Sequence, residues 1–251
     1  MKLKTCNITY VLLVGVMVFS QFSCKERKGV IRGDGNITTV VKELEPARNM
    51  SINFSGMGSI FLMQGERPII QIDTDQNIHQ YLNIEQRNGE LHLFWDEGIN
   101  IDATQLKIII TYVRELENLN IAGAVSVRAD HTIVSDRLNF DISGAADIDL
   151  NLDAKRLETS VAGSGRINLS GSANTHKINL SGATFLDCID LKTEQTTVNL
   201  SGAGSARVYA NKVLEASISG IGKVTYGGNP VERKFDISGL GKINPYTNEP
   251  H

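Results

Sequence analysis

Cysteine is scarce in this sequence, and its positions exclude a disulfide-stabilised fold. Of the three cysteines in 251 residues, Cys6 and Cys24 lie near the N-terminus and only Cys188 lies in the body of the chain. A single cysteine cannot form a disulfide within that body. The stability of the folded part must therefore come from its apolar core and its hydrogen bonds.

A basic surface and a metal-ligand spacing are also missing. The chain carries 25 lysines and arginines against 28 acidic residues, whereas a nucleic-acid-binding domain usually shows a strongly basic stripe. None of the five histidines has an H-x-H or H-E-x-x-H spacing of the kind that zinc sites use. We therefore expect no nucleic-acid partner, no metal and no cofactor.

The first 23 residues resemble a bacterial lipoprotein signal peptide. Lys2 and Lys4 precede an apolar run over residues 8–19, which is too short to span a bilayer comfortably. The run is followed by Ser23 and Cys24, so we expect Cys24 to carry the lipid and residues 24–32 to form a tether. Gln21 and Phe22 depart from the usual lipobox, and ordinary signal-peptide cleavage nearby is the alternative.

A short motif recurs seven times in the second half of the chain. Each copy has an apolar residue, a small residue and a glycine, followed by a second apolar residue, as in ISGAADI from Ile142 and ISGIGKV from Ile218. The central glycines are separated by 18 to 21 residues and are Gly123, Gly144, Gly163, Gly182, Gly202, Gly220 and Gly239. A further copy, FSGMGSI from Phe54, lies upstream. Such a fixed period indicates a repeat architecture.

The residues around each glycine alternate between apolar and polar. Ile142 and Ile148 occupy apolar positions on either side of Gly144. Asp141, which directly precedes Ile142, occupies a polar position. This period of two is typical of strands with one buried face. The sequence therefore predicts that each repeat consists of a strand, a glycine corner and a second strand.

The repeats predict an all-β fold of the β-solenoid class, a single-stranded β-helix with right-handed coils. About 19 residues at about 3.3 Å each give a coil perimeter of roughly 60 Å, and stacked coils share one continuous core. A propeller blade needs about twice this length. We expect one domain over residues 33–247, irregular in its first half and regular from about residue 119.

The combination of these features resembles the autotransporter adhesin head (GIN) domain family. The shared features are the lipoprotein-type signal, the segment SINFSGMGSIFLMQG from Ser51, the strand GELHLFW from Gly89 and the serial I-S-G-x-G-x-I repeats. The resemblance covers about residues 33–245. It implies a solenoid β-helix in the envelope of a Gram-negative bacterium and supplies no catalytic residues.

Two groups of residues are candidates for ligand binding. Asp147 and Asp149 share one strand face, and paired acids of this kind bind Ca²⁺ in β-helical polysaccharide lyases. The equivalent residues of the next repeat, Arg166 and Asn168, do not complete an acidic cage, so a solvated charged face is the preferred interpretation. Trp95, with Phe94 and Tyr81, is a candidate sugar-stacking platform or a part of the core.

The outward polar residues from Asp141 to Asp236 suit hydrogen bonding to a glycan, although a solvated sheet face needs the same residues. The sequence shows no convincing acid–base pair. We therefore predict a non-enzymatic lipoprotein, anchored by lipid in the outer membrane, that presents its β-helix surface for adhesion or for binding a glycan or protein partner. A calcium-dependent, lyase-like carbohydrate enzyme is the alternative.

Overall fold

The computed structural model describes residues 29–247. The predicted signal peptide over residues 1–23 and the predicted lipid-bearing Cys24 therefore lie outside the described residues. The strands are β1 (Val30–Arg32), β2 (Ile37–Glu43), β3 (Asn49–Gln64), β4 (Ile69–Asp75), β5 (Leu82–Arg87), β6 (Glu90–Trp95), β7 (Asn100–Asp102), β8 (Leu106–Tyr112), β9 (Glu115–Leu180), β10 (Ala183–Asp187), β11 (Leu191–Leu200), β12 (Ala203–Tyr209), β13 (Val213–Ile218), β14 (Ile221–Gly227), β15 (Glu232–Ile237) and β16 (Leu240–Pro245). One 3-10 turn, His79–Tyr81, precedes β5.

The repeats pair side by side in parallel. Residues four positions after the repeat glycines are hydrogen-bonded neighbours, so Leu186 pairs with Ala206, Ala206 with Val224 and Val224 with Ile243. Strands β11, β13 and β15 form a second parallel series that starts from β9. The prediction of an all-β fold is confirmed. The main sheet is open and has 14 strands, and the winding of the repeats into a solenoid stays a prediction.

The repeat glycines lie in contact with one another across the strands. A Cβ added to Gly144 would lie 2.1 Å from the carbonyl oxygen of Gly123, and one added to Gly163 would lie 1.9 Å from that of Gly144. Any side chain at these positions would overlap the backbone of the preceding repeat. Glycine is therefore required here by the close approach of two backbones.

The core is a continuous stack of the apolar repeat positions. Ile121, Ile142, Leu180 and Ile218 are all at most 2% exposed. Their burial follows from the in-register pairing, which places equivalent residues of neighbouring repeats on the same sheet face. The apolar alternation thus predicted these core residues correctly.

The last repeat departs from this pattern. Ile237 occupies the same motif position as Ile218 but is 45% exposed, and Phe235 is 41% exposed. From the alternation alone Ile237 is expected in the core, like Ile218, and this expectation is wrong. The reason is that burial at each repeat requires the next one, and no later strand of the described chain pairs with β15.

The first half of the described chain attaches to the repeats through β3. This strand pairs in parallel with the start of β9, and Gly56 stands opposite Gly123. The chain between β3 and β9 contains two antiparallel pairs, β4 with β8 and β5 with β6. Asn88 and Gly89 connect β5 to β6 with φ of 53° and 85°, as expected for a two-residue hairpin turn.

Residues 30–32, which the sequence assigns to the tether, form β1 and pair in parallel with β7. Asp75 ties the chain that follows β1 to the rest of the fold. Its carboxylate accepts hydrogen bonds from the backbone N–H of Gly35 and of Thr104, both at 2.8 Å. These hydrogen bonds to the ionised form lower the pKa of Asp75 against the opposing effect of burial.

Candidate functional site

A row of polar side chains crosses the strands on the outer face of the sheet. Its members stand three residues before each motif glycine and therefore point away from the core. We call this row the polar ladder; it consists of Asn53, Asn120, Asp141, Ser160, Asn179, Asn199, Ser217 and Asp236. Strand pairing places consecutive members opposite one another, as for Asn53 with Asn120 and Asn199 with Ser217.

Hydrogen bonds between side chains order this row. The Asn120 amide donates to Asn53 Oδ1 at 2.7 Å, the Asn179 amide donates to Ser160 Oγ at 3.3 Å, and the Asn199 amide donates to Asn179 Oδ1 at 3.1 Å. Each amide carries two donor hydrogens and an oxygen that accepts two bonds. These contacts therefore fix the orientation of the amides and leave donors and acceptors directed to solvent.

A second polar row runs beside the first, two residues earlier in each repeat. The Asn118 amide donates to Ser51 Oγ at 2.8 Å, and the Asn139 amide donates to Asn118 Oδ1, also at 2.8 Å. At this end the two rows form a hydrogen-bonded surface of amide and hydroxyl groups. Further along, the second row continues with Glu158 and Lys177, which form an ion pair at 2.8 Å.

One end of the polar ladder is closed by strand β6. His92 pairs with Asn53 on the side away from Asn120, and Phe94 projects beside it with 36% of its surface exposed. A cavity of about 330 Å³ lies here, and its lining includes Asn53, His92, Phe94, Asn120 and Asp141. The site therefore combines an aromatic face with amide, imidazole and carboxylate groups.

A second depression continues the first along the ladder. It has a volume of about 230 Å³, and Ser160, Asn179, Asn199 and Asp141 lie in its lining. Because Asp141 borders both cavities, they lie next to each other along the polar ladder. We call the two cavities together the ladder groove.

The groove contains groups of the kind that bind sugars. Its polar groups are mainly neutral amides and hydroxyls, which match the hydroxyl groups of a sugar, and Phe94 offers an apolar face. Asp141 is the one carboxylate shared by both cavities. A glycosidase mechanism requires two carboxyl groups that flank the bond to be broken.

Trp95, a predicted candidate, lies outside the ladder groove. It packs against the core and lines a separate depression of about 470 Å³ together with Met57 and Ile101. Since adjacent residues of a strand point to opposite faces, Phe94 and Trp95 do not form one platform. The structure brings Phe94, but not Trp95, to the polar ladder.

The acidic candidates lie beyond the glycine corner, on another part of the surface. Asp147 is paired with Arg128, whose Nη2 donates to Asp147 Oδ2 at 2.7 Å and whose Nη1 donates to its backbone oxygen at 2.7 Å. Asp149 is exposed. Between residues 29 and 247 no group of three or more His, Cys, Asp or Glu side chains is arranged to hold a metal ion.

The one cysteine of the described chain is not a reactive group. Cys188 is 1% exposed, and burial together with the nearby Asp187 raises the pKa of its thiol. A thiol that stays protonated is a poor nucleophile. Its side chain instead fills space in the apolar core.

Sequence reasoning missed His92 and Asn53 as members of the groove. Asn53 carries the same signal as the rest of the polar ladder, since it stands three residues before the glycine of the upstream motif copy. His92 carries no such signal, because it reaches the groove only through the pairing of β6 with β3.

Over residues 29–247, no helix has the length and apolarity needed to cross a membrane.

A search of curated proteins found no match. Solved structures do match. A "putative adhesin" from Bacteroides fragilis has a TM-score of 0.77 at 19% identity and covers 86% of this chain and 100% of its own.

Two structures from Parabacteroides distasonis have the same architecture. One, described as a putative adhesin, has a TM-score of 0.66 at 22% identity and covers 86% of this chain and 100% of its own. The other, described as a putative lipid binding protein, has a TM-score of 0.64 at 20% identity and covers 87% and 100%. At these identities the likeness shows the fold alone. The family model described as "Putative auto-transporter adhesin, head GIN domain" matches residues 50–230, and the chain belongs to that family.

Proposed function

We propose that this protein is a non-enzymatic lipoprotein of the cell envelope that binds glycan chains along the ladder groove. The observation that carries the proposal is the groove itself, in which two cavities meet at Asp141 and hydrogen-bonded amides line the path between strands. Membership of an adhesin family supports a role at the cell surface.

The repeating geometry favours a polymer as the ligand. Neighbouring strands of a sheet are about 4.8 Å apart, so the ladder offers similar polar groups at regular intervals. A linear glycan that lies across the strands would meet one such group per strand. Each contact is weak alone, and several in a row give useful affinity. Phe94 provides an apolar face at the β6 end of the groove.

The anchor and the winding of the chain complete the proposal. Cys24 holds the protein to the outer membrane by lipid, and residues beyond it form a tether. The repeats wind as a right-handed single-stranded solenoid. Pairing of Leu186 with Ala206 and of Ala206 with Val224 supports coils of this length, and the strong preference for right-handed crossovers between parallel strands supports the hand.

A glycan array tests the binding role. The experiment compares the unmodified protein with the double variant Asn120→Ala/Asp141→Ala, which removes two groove side chains without touching the core. The matched control is Asp147→Asn/Asp149→Asn, because these residues are also outward-facing but lie outside the groove. We expect the first variant to lose most of its array signal and the second to keep it.

Two outcomes would overturn the proposal. One is equal array binding by the unmodified protein and the groove variant. The other is polysaccharide cleavage that is lost in Asp147→Asn/Asp149→Asn and depends on Ca²⁺, which would support the lyase-like alternative. Melting curves with Ca²⁺ and with a chelator complete the test, and we expect them to coincide.

A further inference from the structure

The last repeat ends in a strand with one free edge. Strand β15 pairs with β13, and no other strand within residues 29–247 pairs with it. The Glu232 N–H donates to the Lys212 carbonyl at 2.9 Å and the Ser238 N–H to the Ile218 carbonyl at 3.0 Å. Even-numbered residues therefore direct their backbone groups to β13, and Arg233, Phe235 and Ile237 direct theirs to the free edge.

The same edge exposes apolar side chains at positions whose equivalents in the preceding repeat are buried. Ala216 and Ile218 on β13 are 3% and 0% exposed, whereas their neighbours Phe235 and Ile237 on β15 are 41% and 45% exposed. Leu240 on the adjacent strand β16 is 78% exposed. An edge strand that combines unpaired backbone with apolar side chains is a template for pairing with another strand.

We propose that a second copy of this chain covers the edge, with the two β15 strands paired antiparallel about Phe235. In this register Phe235 stands opposite Phe235 of the other copy, and Arg233 stands opposite Ile237. All three residues direct backbone N–H and C=O groups to the free edge, so they form the hydrogen-bonded pairs of an antiparallel ladder. The result is an isologous dimer with two-fold symmetry. This inference does not depend on the proposed ligand.

The charges on the outer face of β15 select this register. Pairing about Phe235 places Lys234 opposite Asp236 of the other copy, twice over because of the symmetry. A shift that centres the pairing on Lys234 would place lysine opposite lysine and Glu232 opposite Asp236. A shift that centres it on Asp236 would place aspartate opposite aspartate. A shift that centres it on Arg233 would pair Glu232 with Lys234 but would place arginine opposite arginine on the other face of the strand. Opposite charges stabilise a cross-strand pair and like charges destabilise it, so the strand is self-complementary in the first register.

Sedimentation equilibrium of the purified full chain, in a density-matched detergent, tests the dimer. Lys234→Asp places aspartate opposite aspartate and should raise the dimer dissociation constant by about tenfold or more. Asp236→Lys should have a similar effect. The double exchange Lys234→Asp/Asp236→Lys should restore dimerisation. Lys223→Asp on β14 changes the net charge equally but lies away from this edge, and it should leave the dimer unchanged.

Cysteine cross-linking tests the register without relying on affinity. A mixture of one copy carrying Lys234→Cys and another carrying Asp236→Cys should form a disulfide-linked dimer, since these positions are opposite in the proposed pairing. A mixture of Lys223→Cys with Asp236→Cys should not. A chain that is monomeric at all concentrations, or a dimer that neither single charge change weakens, would overturn the proposal.

Discussion

The hydroxyl of Thr159 and Nε2 of His176 lie 3.0 Å apart inside the core. Thr159 is 0% exposed and His176 is 2% exposed. Burial lowers the pKa of His176 from 6.5 to about 3, because a charged imidazole is poorly solvated there. The folded protein therefore holds this histidine in its neutral form.

This burial predicts a loss of stability in mild acid. The unfolded chain binds a proton at His176 below about pH 6.5, whereas the folded chain binds it only near pH 3, so acid favours unfolding between these values. At pH 4.5 the effect should reach about 2 to 3 kcal/mol relative to pH 7. Urea unfolding at both pH values measures the drop in the free energy of unfolding from pH 7 to pH 4.5. This drop should be smaller by the same amount in His176→Gln than in the unmodified protein.

The matched control for this measurement is His92→Gln, because the His92 side chain is 43% exposed. The pH dependence of that variant should follow that of the unmodified protein. An equal loss of stability in all three proteins would show that His176 does not titrate differently in the two states.

The register of the core predicts opposite results for two adjacent residues. Ile142→Asp places a carboxylate at a position that is 0% exposed, and an unpaired buried charge should reduce the free energy of unfolding by at least about 3 kcal/mol. Asp141→Ala changes an outward position and should alter it by no more than about 0.5 kcal/mol. Chemical denaturation of both variants makes the comparison. Equal stability of the two would contradict the alternation of this strand.

The contact between repeat glycines predicts a sharp intolerance to alanine. In Gly144→Ala the new Cβ would lie 2.1 Å from the Gly123 oxygen at a φ of +129°, so the two backbones must separate. We expect the variant to lose at least about 2 kcal/mol of stability. Gly29→Ala is the control, since a Cβ there meets nothing within 4 Å, and its melting temperature should not change.

The lipid anchor predicted at Cys24 can be checked by phase partitioning. The unmodified protein should enter the detergent phase of a Triton X-114 extract because acyl chains bury a large apolar area in a micelle. Cys24→Ser should move to the aqueous phase. If the variant stays in the detergent phase, another segment attaches the protein to the membrane.

The sequence was sufficient to predict the strands and most core positions in the second half of the chain, because its signals are local and repeated. Each copy of the motif places an apolar residue two positions before a glycine, and strand alternation then assigns Ile142 and Ile218 to the core. The polar ladder follows from the same alternation. The exposure of Ile237 did not follow from it, since burial there depends on a neighbour that the motif itself does not reveal.

The first half could not be predicted to the same extent. Gly56 stands opposite Gly123 across 67 residues, so the upstream motif copy is the direct neighbour of the first regular repeat rather than an isolated one. The intervening antiparallel strands carry no repeat that would indicate their partners. For the same reason His92 joins the groove without any signal in its own surroundings.

The contact between glycines of neighbouring repeats also constrains how the length of this protein can change. Inserting a few residues within one repeat would carry its glycine away from the carbonyl of the preceding repeat and bring a side chain against it. Inserting or deleting one complete unit of about 19 residues would preserve every such contact. Gene rearrangements that copy or remove whole units are thus the changes in length that the architecture tolerates, and the number of rungs in the polar ladder would change with them in steps of one.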